Sequence, residues 1–402
     1  MTIVEKLETP VCGSCDVLVC GGGFAGISAA LAAARQGKKI TLLEKQYMLG
    51  GLGTAGLITI YLPICDGMGR QVCFGIAEEL LHLSISMGCE DRYPANWLDS
   101  DDPAGRTEND KRFSVQYNAQ LFAILAEQLL IKNGVEILYG TYAVGVSMKE
   151  DKIKAVIIES KSGRQAISAA SVVDATGDCD IARFASAPTE TFKQGNVLAA
   201  WYYSHGSEGY KLQKLGFADI PDDQKSESSK KLELLVPKRF DGLEGAELSE
   251  MMQLSHLSTL NNVIKKRAHD PEHVPVTIAT TPQIRMTRRI VGEYTLHDTE
   301  QHKFFADSIG LVPDWRKRGP VYEVPFGTLY SKQVKNLITA GRCTSVTDSM
   351  WDIMRVIPCC AITGEAAGIA AAMTDDFAAL DVAALQAELV KQGAVLHEKD
   401  LK

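Results

Sequence analysis

Four apolar residues, Val17-Leu18-Val19-Cys20, run straight into three glycines, and an alanine-rich stretch from Ile27 to Ala34 follows before the chain breaks near Gly37. The apolar run reads as a buried strand and the alanine-rich stretch as a helix. Lys39 to Leu43 then reads as a second strand, closing a short β-α-β unit. Farther on, Asn118 to Asn133 has the pattern of an amphipathic helix stopped by Gly134. Short alternating segments follow at Val135–Tyr139, Ala143–Met148, Lys154–Glu159 and Gln165–Ala169, parted by the turns KEDK and KSGR. They predict a strand and then a small meander. Ser171 to Asp178 reads as a buried strand ending in Thr-Gly-Asp, and Asn336 to Ala340 as another ending in Gly341-Arg342. A last helix is expected after Pro358, which suits a first-turn position.

Two stretches break this alternation. Tyr61 to Lys111 has weak periodicity and an acidic, turn-rich middle, NWLDSDDPAGRTEND, and reads as a surface excursion. Ala187 to about Pro320 contains a polar linker, PDDQKSESSKK, and helical periodicity from Glu247 to Arg267, and carries no nucleotide motif.

The glycines between the first strand and helix give the chain its chemistry. Gly21, Gly23 and Gly26 match G-x-G-x-x-G in the strand-turn-helix context that gives the pattern meaning. Gly21 permits the tight turn, Gly23 lets a pyrophosphate approach the backbone, and Gly26 lets helix and strand pack closely. The free N–H groups and positive end of the helix would hold the phosphates. Glu44 stands 18 residues beyond Gly26, close to the distance of about 20 expected for an acid that meets the ribose hydroxyls. The expected ligand is an adenine dinucleotide. A second glycine-rich stretch, MLGGLGTAGL, follows with no strand before it and reads as a loop passing close to a flat ligand or another backbone.

Composition narrows the classes. At 402 residues with a formal net charge of −8, the chain has room for a large core but no basic excess for a nucleic-acid surface. No stretch approaches the roughly 20 apolar residues of a membrane span, and Met1 to Pro10 lacks the apolar run of a secretory signal, so a cytoplasmic protein is expected. The ten cysteines read as small buried hydrophobes of a reducing compartment. Cys12 and Cys15 form a C-x-x-C placed before the first strand, with no second ligand pair nearby for zinc. No histidine has a metal-ligand spacing, and no metal is expected.

Two distant strands ending in glycine call for a ligand long enough to meet both, which points to FAD. Here the chain resembles the FAD-dependent oxidoreductases with a glutathione-reductase type of FAD domain, in the group related to heterodisulfide reductase A and the fumarate reductase flavoproteins. The resemblance spans nearly the whole chain and rests on GGGFAGISAALAAARQGKKITLLEK, LGGLGTAGL, VVDATGDCDIA, IRMTRRIVGEYTL and NLITAGRCTSVTDSMWDIMRVIPCCAITGEAAGIAAA. It implies an α/β fold: a Rossmann-like FAD domain with a β-meander, in two parts at 1–186 (with an excursion at 61–112) and 321–402, and a smaller cap or substrate domain at 187–320. It also implies an FAD site built from Gly21, Gly23, Phe24, Ala25 and Gly26, from Glu44 and Lys45, from Gly50, Gly51 and Thr54, and from Ala175, Thr176, Gly177 and Asp178. Gly341 and Arg342 are expected at the ribityl or pyrophosphate part, and the helix carrying Gly364 and Ala367 is expected to point at the flavin pyrimidine. The chain departs from the group's pattern at Asp348-Ser349-Met350-Trp351-Asp352, so the wall beside the flavin is its own.

Catalytic candidates are cationic. Arg285 and Arg289, read as one helix face, together with Arg288 form a candidate clamp for an anionic substrate. Arg355, set between Met354 and Val356 ahead of the last helix, needs an anion, either a protein carboxylate or a substrate. Arg316-Lys317-Arg318 reads as solvated surface, and His205 and His297 as structural histidines with a secondary role as candidate bases. The expected activity is two-electron or hydride transfer between FAD and a small organic molecule, an acid or a polyol. Two alternatives stand: an FAD-binding electron-transfer subunit of a larger redox complex, and a thiol-disulfide flavoprotein, for which Cys65 and Cys73 are the available cysteines. A homo-oligomer and a redox partner protein are both open; nucleic acid and membrane span are not expected.

Overall fold

The computed structural model describes residues 2–87, 111–216 and 234–401; the acidic stretch NWLDSDDPAGRTEND and the linker PDDQKSESSKK lie outside the described residues. The main sheet contains β1 (Val11–Cys20), β2 (Ile40–Leu43), β3 (Glu136–Leu138), β4 (Tyr142–Lys149), β5 (Lys152–Ser160), β6 (Gly163–Asp174) and β7 (Leu337–Thr339). Its order is β3-β2-β1-β6-β5-β4, with β7 also paired to β6. The long β6 explains how two architectures meet. On one edge it runs parallel to β1 from Ala166 to Asp174. On the other it takes β5 antiparallel over Gly163–Ser168 and β7 parallel over Val172–Asp174. A parallel sheet, β3-β2-β1-β6-β7, thereby shares one strand with an antiparallel meander. The two segments expected at Gln165–Ala169 and Ser171–Asp174 are one strand.

That pairing also corrects the placement of the C-x-x-C. Because β1 begins at Val11 opposite Ala166, Cys12 and Cys15 lie inside the strand, not before it. Their thiols point to the carbonyls of Ala166 and Ser168, Cys15 is buried, and burial pushes its thiol up to about 11. It is protonated at neutral pH and poorly suited to redox or metal chemistry.

The helices are α1 (Phe24–Arg35), α2 (Ile76–Ile85), α3 (Ala119–Lys132), α4 (Gly245–Arg267), α5 (Asp348–Met354) and α6 (Ile357–Met373), with a short helix at Asp180–Phe184 and a C-terminal one at Val382–Lys391. Helices α1 and α6 pack face to face on the sheet, and every residue of α6 from Pro358 to Ala372 is buried. α3 starts where its sequence says: Asn118 accepts from the Leu121 N–H at 3.0 Å as its N-cap. α2 was not expected. The described part of the supposed surface excursion buries Tyr61, Ile64, Cys73, Ile76, Leu80 and Leu81 and packs α2 against α6 and α3.

The second region has a three-stranded sheet, Gly209–Gln213, Tyr202–Gly206 and Val274–Ile278 in that order, beside α4. A two-stranded ribbon joins Thr189–Thr191 to Arg288–Ile290. Among the described residues no single helix is long and apolar enough to cross a membrane; α5 with α6 would have the length and composition, but they are bent by 90° and buried in the core.

Candidate functional site

A cleft enclosing about 1470 Å³, open mouth included, lies over the residues that follow the C-terminal ends of β1, β2, β6 and β7, where open α/β sheets bind their ligands. Gly21 turns the chain there with φ of +107°, and a Cβ on it would lie 2.4 Å from the Ala175 carbonyl oxygen. Gly23, the N-cap of α1, lines the cleft, and a Cβ on it would meet nothing within 4 Å. A side chain there would enter the space that a phosphate needs. Gly26 faces the other way: a Cβ on it would lie 1.8 Å from the Gly21 carbonyl oxygen, so it sets the helix-turn contact and does not line the cleft.

The second glycine stretch turns out to pack on backbone. Gly50 N–H donates to Gly22 O at 2.8 Å, and a Cβ on Gly51 would lie 3.3 Å from the Gly23 Cα. Gly50 and Gly51 line the cleft. Thr54 is buried behind them, its hydroxyl donating to Leu49 O at 2.5 Å, so it holds the loop.

Glu44 lines the cleft and is 5% exposed. Its Oε2 accepts from Gly22 N–H at 2.8 Å and its Oε1 from Gln46 N–H at 2.7 Å. Burial raises its pKa while those two N–H groups oppose the rise. The carboxylate therefore ties the glycine turn to the end of β2. Lys45 stands beside it at the exposed mouth.

Across the cleft, Ala175, Thr176, Gly177 and Asp178 follow β6, and Gly341 and Arg342 follow β7; all six line it. Asp178 Oδ1 accepts from the Thr287 hydroxyl at 2.8 Å and faces Arg342 Nη2 at 3.3 Å, while Arg342 Nη1 donates to Arg285 O at 2.8 Å. Beneath them, Asp174 is fully buried; it accepts from Thr176 and from Ala182 N–H, and burial pushes it up to about 6. Ile357 and Cys360 bring the N-terminal turn of α6 to the cleft, so the positive end of that helix faces it. Gly364 and Ala367 lie deeper. A Cβ on Gly364 would lie 2.2 Å from the Ala25 carbonyl oxygen, and Ala367 is fully buried, so they serve the contact between α6 and α1, not the cleft.

Sequence reasoning expects a cap here but names none of the residues by which the second region walls the cleft: Gly242, Leu248, Thr281, Pro282 and Ile284. It is fastened by Thr280 N–H to Ala55 O at 2.9 Å and by Gln283 Nε2 to Gly56 O at 2.5 Å. Nothing local marks these residues; only the long-range hydrogen bonds place them.

The arginine clamp is not assembled as expected. Arg288 and Arg289 lie in a strand, so successive side chains part to opposite faces and the helical face uniting Arg285 with Arg289 does not exist. Arg285 is buried, donates to Gln283 O at 2.8 Å and stacks over Trp201. Arg288 pairs with Asp180, and Arg289 with Asp348 and Glu190. None of the three lines the cleft. Arg316, expected on the solvated surface, is 10% exposed and pairs with buried Asp314 at 3.0 Å. His205 and His297 are exposed and away from the cleft. Arg355 does line it. Its Nε and Nη2 both go to Oδ1 of fully buried Asp352, and Nη1 makes no hydrogen bond among the described residues.

The sequence pattern of the family described as FAD dependent oxidoreductase matches residues 16–197 and 203–389. The chain belongs to that family. It is an oxidoreductase, and its cofactor is FAD. A thioredoxin reductase from Ureaplasma parvum serovar 3 is 31% identical over 72 residues, a match spanning 18% of this chain and 23% of that protein. Among solved structures, p-nitrophenol 4-monooxygenase PnpA from Pseudomonas putida is 12% identical, with 94% of this chain and 84% of that one covered, at a TM-score of 0.46. A flavocytochrome c3 fumarate reductase is 12% identical, with 90% and 78% covered, at 0.41.

The cleft fits this cofactor on its own geometry: open space at Gly23, the N-terminal turns of α1 and α6 side by side at Gly341, and a carboxylate at the tip of β2. Gly21, Gly23, Phe24 and Ala25 would hold the diphosphate, and Glu44 the adenosine ribose. Replacing Glu44 with Ala is expected to weaken FAD retention by about 1–3 kcal/mol, the loss of a hydrogen bond to a charged acceptor. FAD titration of the stripped protein measures it, and an unchanged affinity would remove Glu44 from the ribose.

Proposed function

We propose that this oxidoreductase exchanges two electrons with a small organic anion, and that Arg355 binds the anion. Bound FAD supplies the redox chemistry, taking up or returning a hydride. The chain's own part is to place the reacting carbon and exclude water. Support comes from one observation: Arg355 is an arginine of the cleft wall whose Nη1 makes no hydrogen bond among the described residues, next to the N-terminal turn of α6. Arg342, the other cleft arginine, spends its guanidinium on Asp178 and on backbone carbonyls. Asp352 orients Arg355 through the remaining nitrogens, and Pro282, Ile284 and Leu248 give the facing wall its apolar character.

A thiol-disulfide reaction has less support. Cys360, a cleft cysteine, is pushed up to about 12 by burial, and Cys65 and Cys73 are buried with thiols likewise raised. Thiols so held are poor nucleophiles.

Anaerobic mixing with panels of carboxylic acids, polyols and disulfides, read by flavin absorbance, tests the substrate class; reaction with neutral polyols alone would overturn it. Arg355→Lys is expected to keep its FAD and lower turnover per bound flavin at least tenfold, about 1.4 kcal/mol of transition-state stabilisation. Turnover per flavin equal to the parent's would assign Arg355 to the Asp352 ion pair alone.

A further inference from the structure

α4 carries an apolar stripe on its outward face in addition to the inward one, where Leu248 and Leu254 pack beside Met251. Its inward stripe, Met251, Ser255, Thr259 and Val263, carries two small hydroxyl residues. Its outward stripe carries Leu257, Leu260 and Ile264, which are 53%, 54% and 59% exposed. A surface helix ordinarily turns its apolar stripe to the core and its polar one to water. Extending the outward stripe in alternating steps of three and four gives Glu250, Gln253, Leu257, Leu260, Ile264 and Arg267, every one exposed. That spacing is a coiled-coil seam, apolar at its centre, acidic at one end and basic at the other.

The charge pattern identifies the occupant. Glu244, Glu247 and Glu250 crowd the N-terminal end of α4, and Lys265, Lys266 and Arg267 its last turn. Two such helices side by side in the same direction would set like charges together. Antiparallel, each end meets its opposite, and one surface complements itself as a two-fold axis requires. We infer that α4 is a docking surface for a second copy of this chain, paired antiparallel across its outward stripe. The alternation fixes the register: Leu257 against the partner's Leu260, Gln253 against the partner's Ile264, and Glu250 against the partner's Arg267. Arg267 now donates to His273 O and Glu250 pairs with Lys238 at the surface, neither contact buried enough to hold them from a partner. Beside α4, the edge strand Val274–Ile278 leaves Val274, Val276 and Ile278 exposed.

Light scattering on the FAD-loaded protein across a concentration series tests this. The expected mass is twice the 43.7 kDa of the chain. Leu260→Glu is expected to weaken association at least tenfold with FAD content unchanged. Glu250→Arg and Arg267→Glu are each expected to weaken it, and the double reversal to restore it, which only the antiparallel register allows. A monomer at every concentration, a dimer indifferent to Leu260→Glu, or a double reversal no better than the single ones would each overturn the assignment.

Discussion

Val at Gly364 is expected to abolish the folded protein, and Ala at the same position to cost FAD before it costs the fold. A Cβ on Gly364 would stand 2.2 Å from the Ala25 carbonyl oxygen and 2.9 Å from the Ser28 Cβ; one turn on, a Cβ on Gly368 would stand 2.2 Å from the Ala29 carbonyl oxygen. The obstacles are backbone atoms of α1, which cannot rotate aside, so the helices must separate along their shared length. Overpacking a core commonly costs about 1–3 kcal/mol, and a rigid backbone contact puts Val above that range, a large part of a domain's whole stability. Ala25 lies in the first turn of α1, two residues past Gly23, so even the smaller shift forced by Ala moves the turn that would hold the diphosphate. Soluble yield, thermal unfolding and bound flavin per chain measure both. Gly13→Ala, whose Cβ would meet nothing within 4 Å, is the control expected to change nothing. A Gly364→Val protein that folds with the parent's midpoint and flavin content would show that α1 and α6 are not locked by this contact.

Where local chemistry determines structure, the chain could be read without coordinates. The β1-turn-α1-β2 unit is encoded within a short segment by glycines, an apolar run and an acid at the right remove, and Gly21, Gly23 and Glu44 all line the cleft. Of the remaining main-sheet strands, β3, β4, β5 and the start of β6 show as alternating runs between charged turns, and the end of β6 and β7 as apolar runs that end in glycine. Pairing partners do not show. β1 reaches back to Val11 because β6 offers Ala166 to pair with, and Arg288–Ile290 is a strand because Thr189–Thr191 lies alongside, about a hundred residues away in sequence. A helical spacing of arginines was therefore read into a segment whose form is settled by a distant neighbour. α2 escaped for a related reason: its apolar residues answer to α6 and α3, and the acidic stretch after it dominated the local pattern. The resemblance puts Gly364 and Ala367 at the cofactor, but small residues serve two ends, a ligand that comes close or a helix that does, and sequence does not separate them.

Glu365, beside Gly364, carries the largest expected dependence on pH. It is 2% exposed. Its Oε2 accepts from Ile76 N–H at 2.9 Å at the start of α2, and its Oε1 has no hydrogen-bond partner among the described residues. Burial pushes it up to about 8; the Ile76 N–H and Arg35 oppose the rise, while Glu79, engaged by Arg35 at 2.8 Å, adds to it. The folded protein thus holds a proton that the unfolded chain releases near its ordinary value of 4.5. Below that value both states are protonated and the site costs nothing. As pH rises toward 8 the unfolded state alone gains by ionising, so stability falls across this window and levels off above it. Asp174, raised to about 6, adds a fall of the same sign that is complete near pH 6. From pH 6 to pH 8, Glu365 alone of the two still contributes, on the order of 3 kcal/mol at about 1.4 kcal/mol for each pH unit. Glu365→Gln keeps the acceptor for Ile76 and removes the titration. Denaturant unfolding of the FAD-free parent and variant at pH 6 and pH 8 should show the parent losing most of that amount and the variant little of it, so that Gln is the more stable side chain at pH 8. Parallel losses in the two proteins would place the titrating group elsewhere and leave Glu365 a cap of α2 that ionises as an ordinary carboxylate.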